Sequence, residues 1–192
     1  MAICTSTDIY LDANATTHVL PSAAEAATSA MKDLFGNPSS SHITGIRARH
    51  VLEATRNLVR SVLGAPEGRI IFTSGATEGI QMAVFSALLR AQKLYPDAVT
   101  NDRLLLYGAT EHKAVPQALS HWNEMLGLRR KVEAIPVDSH GRLDLDFLRE
   151  RAAFADIVCT MAVNNETGAI HDLIGIEKTL RESNEQASWL VD

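Results

Sequence analysis

The feature that most constrains the fold is an alternation that runs from residue 69 to residue 192. Each short apolar run is followed by a longer stretch with helical periodicity. Arg69 to Thr73 reads as a short buried strand and Glu78 to Lys93 as an amphipathic helix. Arg103 to Tyr107 is a second strand, with a helix from about Ala114 to Leu126. Lys131 to Val137 is a third, with a helix from about Asp144 to Ala153. Asp156 to Val163 is a fourth, with a helix from about Leu173 to Glu185, and Ser188 to Asp192 begins a fifth. Parallel strands need long crossovers, and the usual crossover is a helix. The alternation therefore predicts an α/β fold with a mostly parallel sheet flanked by helices. A last strand normally leads into a covering helix, so a sequence ending at Asp192 predicts a domain incomplete at its C-terminus.

The first third is organised differently. Ser22 to Leu34 has helical composition after Pro21, a residue suited to a first turn. Phe35-Gly36-Asn37-Pro38-Ser39-Ser40-Ser41-His42 is a dense loop signal. From about Gly45 to Leu63 the apolar positions fit a helix that Gly64-Ala65-Pro66 ends.

The net charge of -5 over 192 residues gives no electrostatic reason to expect nucleic acid or an anionic membrane as partner. No stretch reaches the ~18 uninterrupted apolar residues of a membrane-spanning helix. The opening MAICTSTDIYLD lacks the basic and apolar regions of a secretory signal, so the expected location is cytoplasmic. Cys4 and Cys159 make neither a disulfide framework nor a metal-ligand spacing. Cys159 falls in an expected buried strand, where a thiol is an inert packing residue.

Ligands of open α/β sheets bind outside the carboxyl ends of the strands. Those ends carry Ser74-Gly75-Ala76-Thr77, then Gly108-Ala109-Thr110-Glu111-His112-Lys113, then Asn164-Asn165-Glu166-Thr167-Gly168, and Asp192. The first stretch is either a helix cap or an anion cradle, because small residues and the N–H groups of a new helix favour negative charge. No Gly-Lys-Ser/Thr follows, so it is not a Walker A loop. His112 is either a capping or packed histidine, or a ring that stacks and moves a proton. Lys113 reads as a solvated helix-start residue. Asn164 and Asn165 are either turn formers or ligand hydrogen-bonders. The Asp192 carboxylate emerges at the sheet edge, where it can balance a protonated pyridine nitrogen. The combination suits a flat phosphorylated cofactor with a basic ring nitrogen, a description that pyridoxal 5'-phosphate fits.

Five blocks in order extend the pattern: Tyr10-Leu11-Asp12-Ala13-Asn14-Ala15-Thr16-Thr17, Phe35 to His42, Phe72-Thr73-Ser74-Gly75-Ala76-Thr77-Glu78, Thr110-Glu111-His112-Lys113-Ala114, and Val163-Asn164-Asn165-Glu166-Thr167-Gly168. Together they resemble the successive signatures of the cysteine desulfurases, class V aminotransferase-like pyridoxal-phosphate enzymes of fold type I, across essentially the whole sequence. The resemblance implies that Ala76 and Thr77 bind the cofactor phosphate. It implies that His112 stacks on the pyridine ring and assists proton transfer. Asn165 would reach the phenolic oxygen and the substrate carboxylate, and Asp192 would pair with the pyridine nitrogen. It further implies removal of sulfur from L-cysteine, leaving alanine and an enzyme persulfide. A homodimer and a sulfur-acceptor or scaffold protein, in iron–sulfur cluster assembly or tRNA thiolation, come with it. Residues 1–17 would be a segment near the small domain and active-site entrance, and 18–192 part of the cofactor-binding large domain.

The departures are specific. The family's cofactor-binding lysine follows a Ser-Gly-His stretch beyond the equivalent of Asp192, and its persulfide-forming cysteine comes later still. Lys113 does not match that lysine, and neither Cys4 nor Cys159 matches that cysteine. The expectation is the N-terminal portion of a cysteine desulfurase, inactive by itself: either a truncated chain, or a divided one whose complementary C-terminal fragment supplies the lysine and the cysteine. The alternatives are another class V enzyme, such as a selenocysteine lyase or an aminotransferase relative, and a non-catalytic fragment that binds a cofactor or partner.

Overall fold

A computed structural model describes residues 9–13, 15–95 and 102–192. Cys4 lies outside them, as does Asn14 of the first block. The chain divides into two compact units, Met1–Phe72 and Thr73–Asp192.

The first unit holds α1 (Pro21–Asp33) and α2 (Ile43–Val62). Pro21 opens α1 at the position where its missing N–H costs nothing. The expected loop lies between the helices. Asn37 Oδ1 accepts the Ser39 N–H at 2.9 Å, and the His42 ring caps α2 by accepting the Gly45 N–H at 3.3 Å. Gly45 has to be glycine, because a Cβ there would meet Asn37 O at 2.6 Å and Ser40 O at 2.7 Å.

The second unit runs α3 (Ala76–Leu94), β1 (Leu104–Gly108), α4 (Ala114–Met125), β2 (Lys131–Ile135), α5 (Leu145–Ala152), β3 (Ala155–Thr160), α6 (Leu173–Ser183) and β4 (Ser188–Val191). The sheet order is β2-β1-β3-β4 and every pairing is parallel. Side chains alternate across the pleat, so the sheet is apolar on both faces. Leu105, Ile157 and Cys159 pack with Val84 and Leu88 of α3 and Val115 and Leu119 of α4. Leu104, Leu106 and Val158 pack on the other face with Leu148 of α5 and Ile176 and Leu180 of α6. Each fully buried Leu or Ile contributes about 1.5–3 kcal/mol, which explains why both faces carry helices. The α/β class and the parallel sheet are as expected from the alternation, and Cys159 is fully buried as expected.

One expected element does not form. Arg69 to Thr73 pairs with no strand among the described residues, and Ile71 and Phe72 are 53% and 50% exposed. A short apolar run becomes a strand only where a neighbour supplies a ladder, and here the sheet edges are β2 and β4. Backbone without regular secondary structure therefore leads into α3 where a strand was expected. Among the described residues no helix is long and apolar enough to cross a membrane.

Candidate active site at the strand ends

The connectivity selects one place on the sheet. From β1 the chain leaves through α4 to β2 on one side; from β3 it leaves through α6 to β4 on the other. The β1 and β3 exits thus diverge and leave a crevice between them, the switch point where ligands of such sheets bind. The polar segments from residues 109 to 113 and 161 to 168 leave the sheet at this crevice, and Asp192 follows β4 beside it.

Two side-chain bonds close the base of the crevice. The Met161 N–H donates to Glu111 Oε1 at 2.6 Å, and Asn164 Nδ2 donates to Thr110 O at 2.9 Å. Asn164 is buried, and its Oδ1 accepts the Glu166 N–H, the Thr167 N–H and the Thr167 hydroxyl at 3.0, 2.8 and 3.0 Å. It is the turn former of the pair. The Gly168 N–H closes the turn on Asn164 O, at a φ of 73° that favours glycine. Asn165 is half-buried and its amide makes no hydrogen bond among the described residues, so its donor and acceptor remain available to a ligand.

His112 meets the capping reading of its sequence position. Its Nδ1 accepts the Ala114 N–H at 3.2 Å, which caps the start of α4. Its ring is nonetheless exposed rather than packed. Acceptance at Nδ1 places the proton of the neutral ring on Nε2, free to donate. Lys113 is solvent-exposed at the helix start, as expected.

The N-terminus of α3 reaches the same edge. Arg90 donates to Gln186 O at 2.9 Å and to Ser188 Oγ at 3.3 Å, which ties the C-terminal part of α3 to the start of β4. Ala83 and Ala87 line a groove with Ser188 and Leu190, so the helix runs back along the strand. From residue 90 to residue 76 the helix covers about 21 Å, whereas a four-residue strand covers about 13 Å. The first turn of α3 therefore arrives at the carboxyl edge of the sheet. Gly75 provides no side-chain cap, and the first bond of the helix runs from the Gly79 N–H to Gly75 O. That leaves the N–H groups of Ala76 and Thr77 without a protein acceptor among the described residues. Nearby, Glu78 accepts both the N–H and the hydroxyl of Ser74 at 2.6 Å. These two bonds, the hydroxyl first, hold the Glu78 carboxyl below its ordinary range.

Asp192 is fixed through its backbone: its N–H donates to Thr160 O and its carbonyl accepts the Ala162 N–H, both at 2.9 Å. Its exposed side chain stands close enough to Glu111 for the charges to interact. Glu111 stood in the β1-end segment but was not among the expected site residues. Burial, and secondarily the Asp192 charge, push its carboxyl up to about 7, although the Met161 bond opposes the rise. A lone glutamate before a histidine carries no sequence signal of burial, so only the fold reveals it. Cys159 is raised in turn, by burial first and then by the Glu111 and Asp192 charges, and is inert as a nucleophile. A separate cavity of about 480 Å³ lies at the start of α6, lined by Arg142, His171 and Asp172 among others. It includes none of the expected site residues.

An uncovered helix N-terminus, an exposed imidazole, an unpartnered amide and a carboxylate thus share one sheet edge. The donor set fits a phosphorylated aromatic ring with a basic nitrogen: N–H groups for the phosphate, a flat ring for stacking, and a carboxylate for the nitrogen.

Known proteins share this architecture. A cysteine desulfurase of Frankia sp. is 38% identical over 170 residues, which is 85% of this chain and 39% of the relative. A cysteine desulfurase of Rickettsia prowazekii is 37% identical over 180 residues, 92% of this chain and 41% of the relative. A solved NifS-like protein superposes with a TM-score of 0.80 at 31% identity, covering 96% of this chain and 48% of that one. The chain thus spans about two-fifths of the length of these curated relatives. The family described as aminotransferase class-V matches residues 9–192, a segment that contains all five sequence blocks. With the parallel sheet, the switch-point crevice and the match agreeing, this chain belongs to the class-V aminotransferase family.

Proposed function

We propose that this chain carries the phosphate- and ring-binding part of a pyridoxal-phosphate-dependent cysteine desulfurase. The observation that supports the reading best is the convergence of an uncapped α3 N-terminus, His112, Asn165 and Asp192 on the switch-point edge of the sheet. Pyridoxal 5'-phosphate, when bound, supplies an electron sink for bond breaking at the amino acid. Binding, orientation and proton placement fall to the chain's own residues. The Ala76 and Thr77 N–H groups bind the phosphate, helped by the α3 dipole. His112 covers one ring face, and its Nε2 proton is placed for transfer because Nδ1 is engaged by Ala114. Asn165 orients the phenolic oxygen and the substrate carboxylate through its unused amide. Asp192 holds the ring nitrogen's proton.

L-cysteine as substrate, a homodimeric assembly and a sulfur-accepting partner protein rest on the likeness to the relatives. In this reading residues 18–192 are part of the large domain and residues 1–17 are a segment near the small domain and the active-site entrance. These 192 residues contain no Ser-Gly-His-Lys stretch, so we expect no turnover from them alone. The test is to assay alanine and sulfide from L-cysteine and pyridoxal 5'-phosphate in two samples. One holds the chain alone; the other adds a polypeptide that supplies the Ser-Gly-His-Lys stretch and the later cysteine. Product in the second sample only is expected. Robust turnover by the chain alone, or none in either, would contradict the proposal.

A further inference from the structure

The switch-point crevice contains a carboxyl that none of the roles above employs. Glu111 Oε1 is bonded to the Met161 N–H across the crevice, while Oε2 is buried with no partner. The fold makes room for this group: a Cβ on Gly108 would sit 3.0 Å from Oε1 and 3.2 Å from Leu143 Cδ2. Glycine at the end of β1 thus admits the carboxyl beneath the crevice floor. Met161 follows Thr160, whose carbonyl accepts the Asp192 N–H, so Glu111 and Asp192 are anchored to adjacent residues of one strand exit. A buried, unpartnered carboxylate oxygen is costly when ionised; a protonated Oε2 removes that penalty while Oε1 keeps its bond.

We propose that Glu111 is a positioning residue of this site: it ties the β1 exit to the β3 exit through Met161, and it controls by its own protonation how much negative charge stands beside Asp192. Neutral, Glu111 leaves the ring-facing edge to the Asp192 carboxylate. Ionised, with its proton released to solvent, it adds a second negative charge there. The titratable groups coupled to it among the described residues are Asp192 at the end of β4 and the Cys159 thiol of β3. The exposed His112 follows it in sequence and directs Nδ1 to Ala114 instead. The elevated proton affinity of Glu111, caused by burial and then by Asp192, agrees with this arrangement.

The cofactor part of this inference rests on the proposed function; the Glu111–Asp192 coupling does not. Carboxyl-carbon NMR of the 192-residue chain without cofactor should show Glu111 titrating near pH 7. In Asp192→Asn that midpoint should fall, because a neighbouring negative charge is removed. A Glu111 midpoint in the ordinary carboxylate range, or one that Asp192→Asn leaves in place, would overturn the coupling. The second arm measures pyridoxal 5'-phosphate affinity from pH 5.5 to 8.5, pH values chosen to bracket about 7. The wild-type profile should bend near neutrality, and Glu111→Gln, which keeps an acceptor for Met161, should lose that bend. Identical profiles for the two proteins would overturn the positioning role. If neither protein takes up the cofactor, the parent reading fails and with it the positioning role, whereas the titration arm still decides the coupling.

Discussion

Two adjacent asparagines show how the site divides labour between single residues. Asn164 is buried and makes a donated bond to Thr110 O and three accepted bonds within its turn. Asn164→Ala strips partners from buried backbone groups, and we expect a loss of about 2–3 kcal/mol in denaturant unfolding. Asn165→Ala should change stability by less than about 0.5 kcal/mol, yet weaken pyridoxal 5'-phosphate binding roughly fivefold, the effect of one lost hydrogen bond. Residue type and place alone offered the two as equivalent amides, and only the family resemblance singled out Asn165. Their difference comes from the turn closed by Gly168, which buries Asn164 and leaves Asn165 half-buried. Glu111 likewise looked like an ordinary polar residue, since its burial depends on Gly108 and Met161 from two different elements. It makes a pH prediction of its own. Its folded-state pKa of about 7 lies above the ordinary 4.5, so the folded state binds the extra proton. The stability it contributes is complete below about pH 4.5 and is lost as the pH rises through 7. Unfolding free energy should therefore decline over this window by on the order of 2 kcal/mol, and Glu111→Gln should flatten the decline.

Among the elements, α3 bears most directly on the cofactor. The sequence marked its start well, because Ser-Gly-Ala-Thr before a helical pattern is a strong boundary signal. The strand expected before it was misread for a physical reason. Ile70-Ile71-Phe72 is apolar enough for a strand, but strand formation depends on a ladder partner that local composition cannot report. The consequence is that α3 is placed by packing on β3, β4 and α4, including the Gln81–Trp122 bond of 2.6 Å, and not by a strand feeding into it. A substitution can separate the helix from its ligand role. Ala76 opens α3 directly after an extended Gly75, a position that tolerates proline because no intrahelical N–H is lost. Ala76→Pro should leave the helical circular dichroism unchanged and remove one cradle N–H, lowering phosphate-dependent affinity roughly five- to tenfold. A helix that melts, or an affinity that does not move, would count against the cradle.

At the scale of the whole molecule, the parallel order β2-β1-β3-β4 does what no single motif does. It sends β1 and β3 apart at their exits and so decides which loops share a crevice. The alternation made the α/β class legible, and the crossover rule made its parallel sense legible. The strand order was not readable, because it depends on which helix covers which face and not on local pattern. With that order known, His112, Asn165 and Asp192 fall on neighbouring strand exits, and the α3 N-terminus reaches the same edge. The most direct test compares two ligands by isothermal titration of the 192-residue chain. Pyridoxal 5'-phosphate should bind saturably at one site, and pyridoxal, which lacks the phosphate, should bind at least tenfold more weakly, about 1.4 kcal/mol or more. Equal affinities for the two, or no saturable binding of the phosphorylated form, would contradict a cradle for a phosphorylated ring at this edge.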